Sequence, residues 1–154
     1  MKAPHFDLLG IDGMRYSPAS ARGKNGLVVM FICNHCPYVK RSLDRILSDS
    51  KALAAVGIGS IAVMPNDPAY NGEDSFENMK RVAKEKGFPF PYVIDESQDV
   101  ARAYDAVCTP DFFGYGQDLE LKYHGRLDEL FRAMTDSPPQ PVMNSIGCSI
   151  KWKK

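Results

Sequence analysis

What the chain lacks narrows its chemistry first. No run of about 18 apolar residues occurs, so no segment reads as a membrane-spanning helix. Neither sign of charge dominates. The 19 basic and 19 acidic side chains cancel, which argues against a phosphate-driven partner such as DNA or RNA. The opening MKAPHFDLLG has no apolar stretch of signal-peptide length, so the cytoplasm is the expected compartment. Cysteine is too sparse for a disulfide scaffold: there are 4 in 154 residues, at positions 33, 36, 108 and 148. In a reducing compartment the close pair then reads as catalytic or metal-binding. No internal repeat, low-complexity segment or second hydrophobic unit is visible, and residues 1–154 read as one domain.

Hydrophobic patterning sets out the elements. FDLLGIDGMRY reads as a short hairpin turning at Asp12-Gly13, and SPASARGKNG (residues 17–26) as loop. Residues 1–26 thus form an N-terminal hairpin and loop ahead of a core over 27–131. LVVMFI (27–32) is continuously apolar, as suits a strand covered on both faces. Pro37 fits a first helical position, and Val39, Leu43, Ile46 and Leu47 recur at helical spacing toward Val56. Residues 58–64 make the next core strand. Asp74 or Ser75 caps a helix through Lys86, and Gly87 stops it. A strand at 91–94, a brief helix over 98–104, and two strands in DFFGY and DLELKYHG complete the core. The βαβ order predicts parallel pairing with an antiparallel edge. Residues 128–134 supply a turn or two of helix at most. The tail, 132–154, carries a proline cluster and then an alternation of Ile146, Cys148, Ile150 and Trp152 that fits a short extended segment.

The chemistry concentrates in FICNHCPY, residues 31–38. Cys33 and Cys36 follow a core strand and precede a helix, whose first-turn N–H groups stabilise a thiolate. Lys40 and Arg41 stand near that end and add positive charge. Such surroundings lower a cysteine pKa, and a second cysteine three residues away can close a disulfide. With Pro37 as the first helical residue, Cys36 is the N-cap and the favoured attacking thiol, with Cys33 resolving. The reverse order is the ordinary arrangement, and the residues leave the choice open. His35 reads as an exposed polar residue or as a tuner of the thiolates. Cys33, His35 and Cys36, joined by Cys108 or Cys148, are a candidate zinc or Cu(I) set, weakened by the absence of a second close cysteine pair. The leading reading expects no cofactor and no resident metal.

Together with Cys108-Thr109-Pro110 ahead of a hairpin, this order resembles the thioredoxin-like superfamily. FDLLGIDGMRYS resembles the opening of its peroxiredoxin-like and thiol-reductase-like branch. FICNHCPYVK, EDSFENMKRVAKEKGFPFPYVIDESQDVARAY and the terminal GCSIKWK resemble small thioredoxin-fold proteins labelled AhpC/TSA, over nearly the whole chain. The resemblance implies an α/β, thioredoxin-like fold with a central mixed sheet flanked by helices. Here it carries an N-terminal hairpin extension and a shortened or missing last helix, whose thinly covered sheet face invites a homodimer or cover by the tail. It also implies a cis Thr109–Pro110 bond opposite the active cysteines, presenting backbone polar groups to a thiol or disulfide.

Departures from the relatives' motifs matter as much. A peroxiredoxin carries Pro-x-x-x-Thr-x-x-Cys, and neither that Pro nor that Thr precedes Cys36. A typical thioredoxin has Gly-Pro between its cysteines over a buried carboxylate. Here Asn34-His35 intervenes, the preceding strand offers no acid, and His35 is the expected substitute in proton handling. Arg126 is a candidate cation for the site. Cys108 and Cys148 are candidate additional redox thiols or small packing residues, and Trp152 a tail anchor. The leading expectation is a thiol–disulfide oxidoreductase acting on a protein or small-molecule thiol or disulfide, with an unidentified electron donor. The alternatives are a thiol-dependent peroxidase passing through a sulfenic acid at Cys36, and a non-enzymatic thiol sensor or Cu/Zn-binding module.

Overall fold

The computed structural model describes residues 1–135 and 146–154. In chain order these form β1 (Leu8–Gly10), β2 (Arg15–Tyr16), α1 (Pro18–Ala21), β3 (Gly26–Phe31), α2 (Pro37–Ala55) and β4 (Ile58–Met64). Then come α3 (Phe76–Lys86), β5 (Tyr92–Ile94), α4 (Asp99–Ala103), β6 (Cys108–Thr109), β7 (Asp111–Tyr115), β8 (Leu121–Gly125), α5 (Leu130–Thr135) and β9 (Cys148–Ser149). A mixed sheet runs in the order β2-β1-β5-β4-β3-β7-β8, and β6 pairs separately with β9. Strands β3, β4 and β5 are parallel, as the βαβ order predicts, and β7 and β8 add the antiparallel edge. The N-terminal hairpin is part of the sheet rather than an appendage, because β1 pairs antiparallel with β5.

β3 shows why an unbroken apolar run suits a central strand. Val28 and Met30 join the core shared with α2 and α3, while Leu27, Val29 and Phe31 join the core on the opposite face. Burying each such side chain contributes about 1.5–3 kcal/mol. On the second face Phe31 meets Tyr104 and Phe113 edge-on, at ring distances of 5.5 and 5.7 Å. The strand is thereby immobilised just before the cysteine pair.

Several expectations are corrected. Residues 17–26 are not all loop: Ser17 and Ser20 form a reciprocal capping box, and Pro18 starts α1. Of the two caps expected for α3, Ser75 is the one used: it accepts from Asn78 N–H at 3.1 Å. The strand expected from Asp118 begins at Leu121, because Leu119 takes a left-handed turn conformation (φ 61°). α5 extends to Thr135, beyond the expected core boundary at 131, and at 6 residues is the shortened last helix. Among the described residues no helix is long and apolar enough to cross a membrane.

Candidate active site

Cys36 is the N-cap of the 19-residue α2, with Pro37 at its first position. A thiol there makes no local side-chain cap bond, so its sulfur is free to face tertiary neighbours. As a thiol it donates to the Thr109 carbonyl at 3.3 Å. The neighbours that favour its thiolate are the Cys33 side chain first, then Cys148, the Val39 amide and Thr109. The Cys33 hydrogen bond is the largest influence and outweighs burial, so the Cys36 pKa lies well below that of an ordinary thiol. The same bond, then burial and the charge of Asp74, push Cys33 the other way. The Cys33 sulfur also lies 3.4 Å from the Thr109 hydroxyl oxygen. Lys40 and Arg41, expected to support the thiolate, are otherwise engaged: Lys40 pairs with Glu73 at 3.1 Å and Arg41 lies over the Tyr38 ring.

The loop between the cysteines is held by a buried acid, although none lies in the preceding strand. Asp74 is 0% exposed and comes from the short 3-10 turn before α3. Its carboxylate accepts from Asn34 N–H at 2.7 Å and His35 N–H at 3.3 Å, and contacts the His35 Nδ1. Asn66 adds a side-chain N–H at 3.1 Å. Asn34 donates to the Glu73 carbonyl at 2.8 Å and accepts from the Tyr92 hydroxyl at 2.8 Å. Burial keeps that hydroxyl protonated, its pKa pushed well above the ordinary tyrosine value. His35 is therefore a member of a buried network rather than an exposed side chain. The ligand atoms of Cys33, His35 and Asp74 lie within 4.8 Å of one another, so these three could also hold a soft cation.

The remaining candidates separate. Thr109–Pro110 is cis, and Thr109 is fully buried against both sulfurs of the pair. Cys148 on β9 lies opposite Thr109 and packs against the core cluster that holds both cysteines of the pair. Cys108 is one residue from Thr109 along the strand, and so on its other face; its sulfur lies 3.8 Å from the Pro110 carbonyl. Arg126 lines a small groove with Tyr38, Pro110 and Ile146, beside the pair rather than in it. Trp152 is exposed and stacks with Arg102, whose guanidinium sits 4.7 Å from the ring centre. Asp74, Asn34, Asn66 and Tyr92 carried no site signal in the sequence. One was available: Asp74 and Ser75 are adjacent cap-type residues, and one helix needs only one of them.

Among solved structures, an uncharacterized conserved protein from Geobacillus kaustophilus is 38% identical, with a TM-score of 0.87 over 99% of this chain and 91% of that one. A hypothetical protein from Sinorhizobium meliloti 1021 is 31% identical, with a TM-score of 0.88 over 99% and 93%. An exposed lipoprotein thioredoxin from Streptococcus pneumoniae shares the fold at 20% identity, with a TM-score of 0.68 over 85% and 98%. Among curated proteins no relative is found. The AhpC/TSA family model matches residues 1–126, from the N-terminal hairpin through β8. With a thioredoxin-like fold around a helix-capping cysteine, the chain belongs to the AhpC/TSA family.

Proposed function

We propose that this protein is a thiol–disulfide oxidoreductase in which Cys36 attacks and Cys33 resolves. The observation that carries the reading is the position of Cys36 as the N-cap of α2, where the neighbouring Cys33 side chain is the leading influence that lowers its pKa. Amide dipoles and S–H donors stabilise the thiolate there, and a thiolate is the form that exchanges with disulfides. Cys36 attacks one sulfur of a substrate disulfide and expels the other as a thiolate. Cys33 then loses its proton and attacks the Cys36 sulfur, closing the Cys33-Cys36 disulfide and releasing the second substrate thiol. The carboxylate of Asp74 and the imidazole of His35 lie within 4.8 Å of the Cys33 sulfur and supply the base for that step. The buried acid of a typical thioredoxin is thus replaced by one from another part of the chain.

The peroxidase reading has the family match behind it but lacks the threonine that orients peroxide. Cys33 stands three residues before Cys36, in that threonine's place. The test treats reduced protein with near-stoichiometric hydrogen peroxide or with glutathione disulfide, quenches with alkylating agent, and maps cysteines by mass spectrometry. Rapid exchange with the disulfide, sluggish reaction with peroxide and a Cys33-Cys36 bond are expected. The opposite order of rates makes the protein a peroxidase. Inert thiols together with zinc or copper in the purified protein turn the Cys33, His35 and Asp74 set into a metal site.

A further inference from the structure

The redox pair is buried. Cys36 is 0% exposed and Cys33 2% exposed, so an outside disulfide does not meet the attacking sulfur directly. A cavity of about 370 Å³ between α2 and α3 reaches Cys33 and Asn34 but not Cys36. On the other side, the residue over Cys36 is Cys148, which is only half-buried. It stands opposite Thr109 in the β6–β9 pair, and the Thr109 carbonyl accepts the Cys36 thiol at 3.3 Å. It also packs against the core cluster that contains Cys36 and Cys33. Cys36 and Cys148 therefore both meet Thr109 beside the start of α2, and Cys148 is the more exposed of the two.

The tail is held in this place by specific contacts. The β6–β9 register sets Cys148 opposite Thr109. A β-carbon on Gly147 would collide with the Thr109 carbonyl, so the approach admits only glycine at that position. Beyond Cys148, Ile150 N–H bonds the Val107 carbonyl at 3.0 Å and Lys151 N–H bonds Asn66 Oδ1 at 2.9 Å. Gln98 clasps the Lys151 carbonyl at 2.8 Å and accepts Lys153 N–H at 2.8 Å. Asn66 in turn donates to Asp74, so one side chain ties the tail to the acid that holds the Cys33–Cys36 loop.

We propose that Cys148 is a third redox thiol that relays disulfide exchange between the buried pair and an external thiol or disulfide. The proposal rests on the oxidoreductase reading above and names its route to solvent. Starting from the oxidised pair, the Cys148 thiolate attacks the Cys36 sulfur. The Cys36-Cys148 bond forms, the Cys33-Cys36 bond breaks, and Cys33 leaves as a thiolate that takes a proton from the His35 and Asp74 pair. An external thiolate attacks Cys148, expels Cys36 as a thiolate and leaves a mixed disulfide on Cys148. A second external thiol releases the external disulfide and restores the Cys148 thiol. Two external thiols are oxidised and one protein disulfide is reduced; run backwards, the sequence oxidises the protein.

The test uses the full chain. Cys33→Ser, which cannot close the usual pair, is treated with glutathione disulfide, quenched by alkylation and mapped by mass spectrometry. A Cys36-Cys148 disulfide together with glutathione captured on Cys148 is expected. Glutathione captured on Cys36 alone, with Cys148 fully alkylatable, overturns the relay. In parallel, reduction of the oxidised wild-type pair by glutathione is compared with that of Cys148→Ser, whose near-isosteric side chain preserves the packing. A loss of about tenfold or more in rate is expected, and equal rates overturn the relay. If wild type exchanges rapidly and forms Cys33-Cys36 while both relay results are negative, the oxidoreductase reading stands and only the relay falls. If wild type forms no Cys33-Cys36 bond, the oxidoreductase reading fails first, independently of Cys148.

Discussion

At the scale of single residues, Asp74 has the most to lose. It accepts from the Asn34 and His35 amides and the Asn66 side chain in a fully buried position. Each buried donor left unpaired costs about 1–3 kcal/mol. Asp74→Ala should therefore destabilise the fold by about 3 kcal/mol or more, measured by chemical denaturation. Asp74→Asn keeps the shape and loses the base. It should slow resolution by Cys33 by about 10²-fold, so that the mixed disulfide on Cys36 accumulates in quenched reactions. An unchanged resolution rate would remove Asp74 from proton handling.

Cys36 provides the pH dependence at the same scale. Its pKa is below the unfolded value of about 8.5, so its contribution to the stability of the reduced protein is fully present above about pH 8.5. That contribution is lost as pH falls through the folded value. Cys33 and Cys148 are shifted upward and remain protonated in this range, so Cys36 is the thiol that titrates. The difference in unfolding free energy between reduced wild type and Cys36→Ser should shrink with falling pH. Because the Cys33 hydrogen bond is the leading cause, Cys33→Ala should move the thiolate absorbance midpoint of Cys36 up toward about 8.5. A midpoint that stays put would assign the stabilisation to the helix alone.

At the scale of elements, the two-residue strands β6 and β9 form a clasp over the start of α2. Their pairing is short, and its tight point is Gly147 against Thr109. Gly147→Val should push β9 off β6, exposing Cys36. Alkylation of the reduced protein should then modify Cys36 several-fold faster while the main sheet, which β9 does not join, keeps its hydrogen-exchange protection. Unchanged alkylation would show that access to Cys36 does not pass under the tail. Pro37 made the start of α2 readable in the sequence, and the alternation of Ile146, Cys148, Ile150 and Trp152 made β9 readable, but not the fact that they meet.

At the scale of the whole molecule, oxidation exchanges one stabilisation for another. A disulfide across a loop this short is worth about 2 kcal/mol of unfolded-state entropy. It removes the Cys36 thiolate, whose stabilisation is about 1.4 kcal/mol for each pH unit by which its pKa is lowered. At pH 7, about 1.5 pH units below the unfolded value, only the part of the lowering beyond that gap counts, so a lowering of more than about three makes the reduced protein the more stable form. The expected outcome is a higher Tm for the reduced than for the oxidised protein at pH 7, reversing in acid. A higher Tm for the oxidised form at neutral pH would contradict a stabilised thiolate.

The local chain determined what local physics controls. The apolar run of β3 demanded cover on both faces, Pro37 started a helix, and together they left Cys36 at a helix end with Cys33 one turn of loop before it. Tertiary structure alone decided which groups face those sulfurs. Asp74 lies 40 residues from Asn34 along the chain, in a turn whose sequence signals only a cap. Cys148 reaches Cys36 because β9 pairs with β6, and Cys108, one residue from Thr109, faces away because strand side chains alternate. Hydrogen bonds between distant segments depend on how the sheet and its helices stack, and nothing in the residues' spacing encodes that.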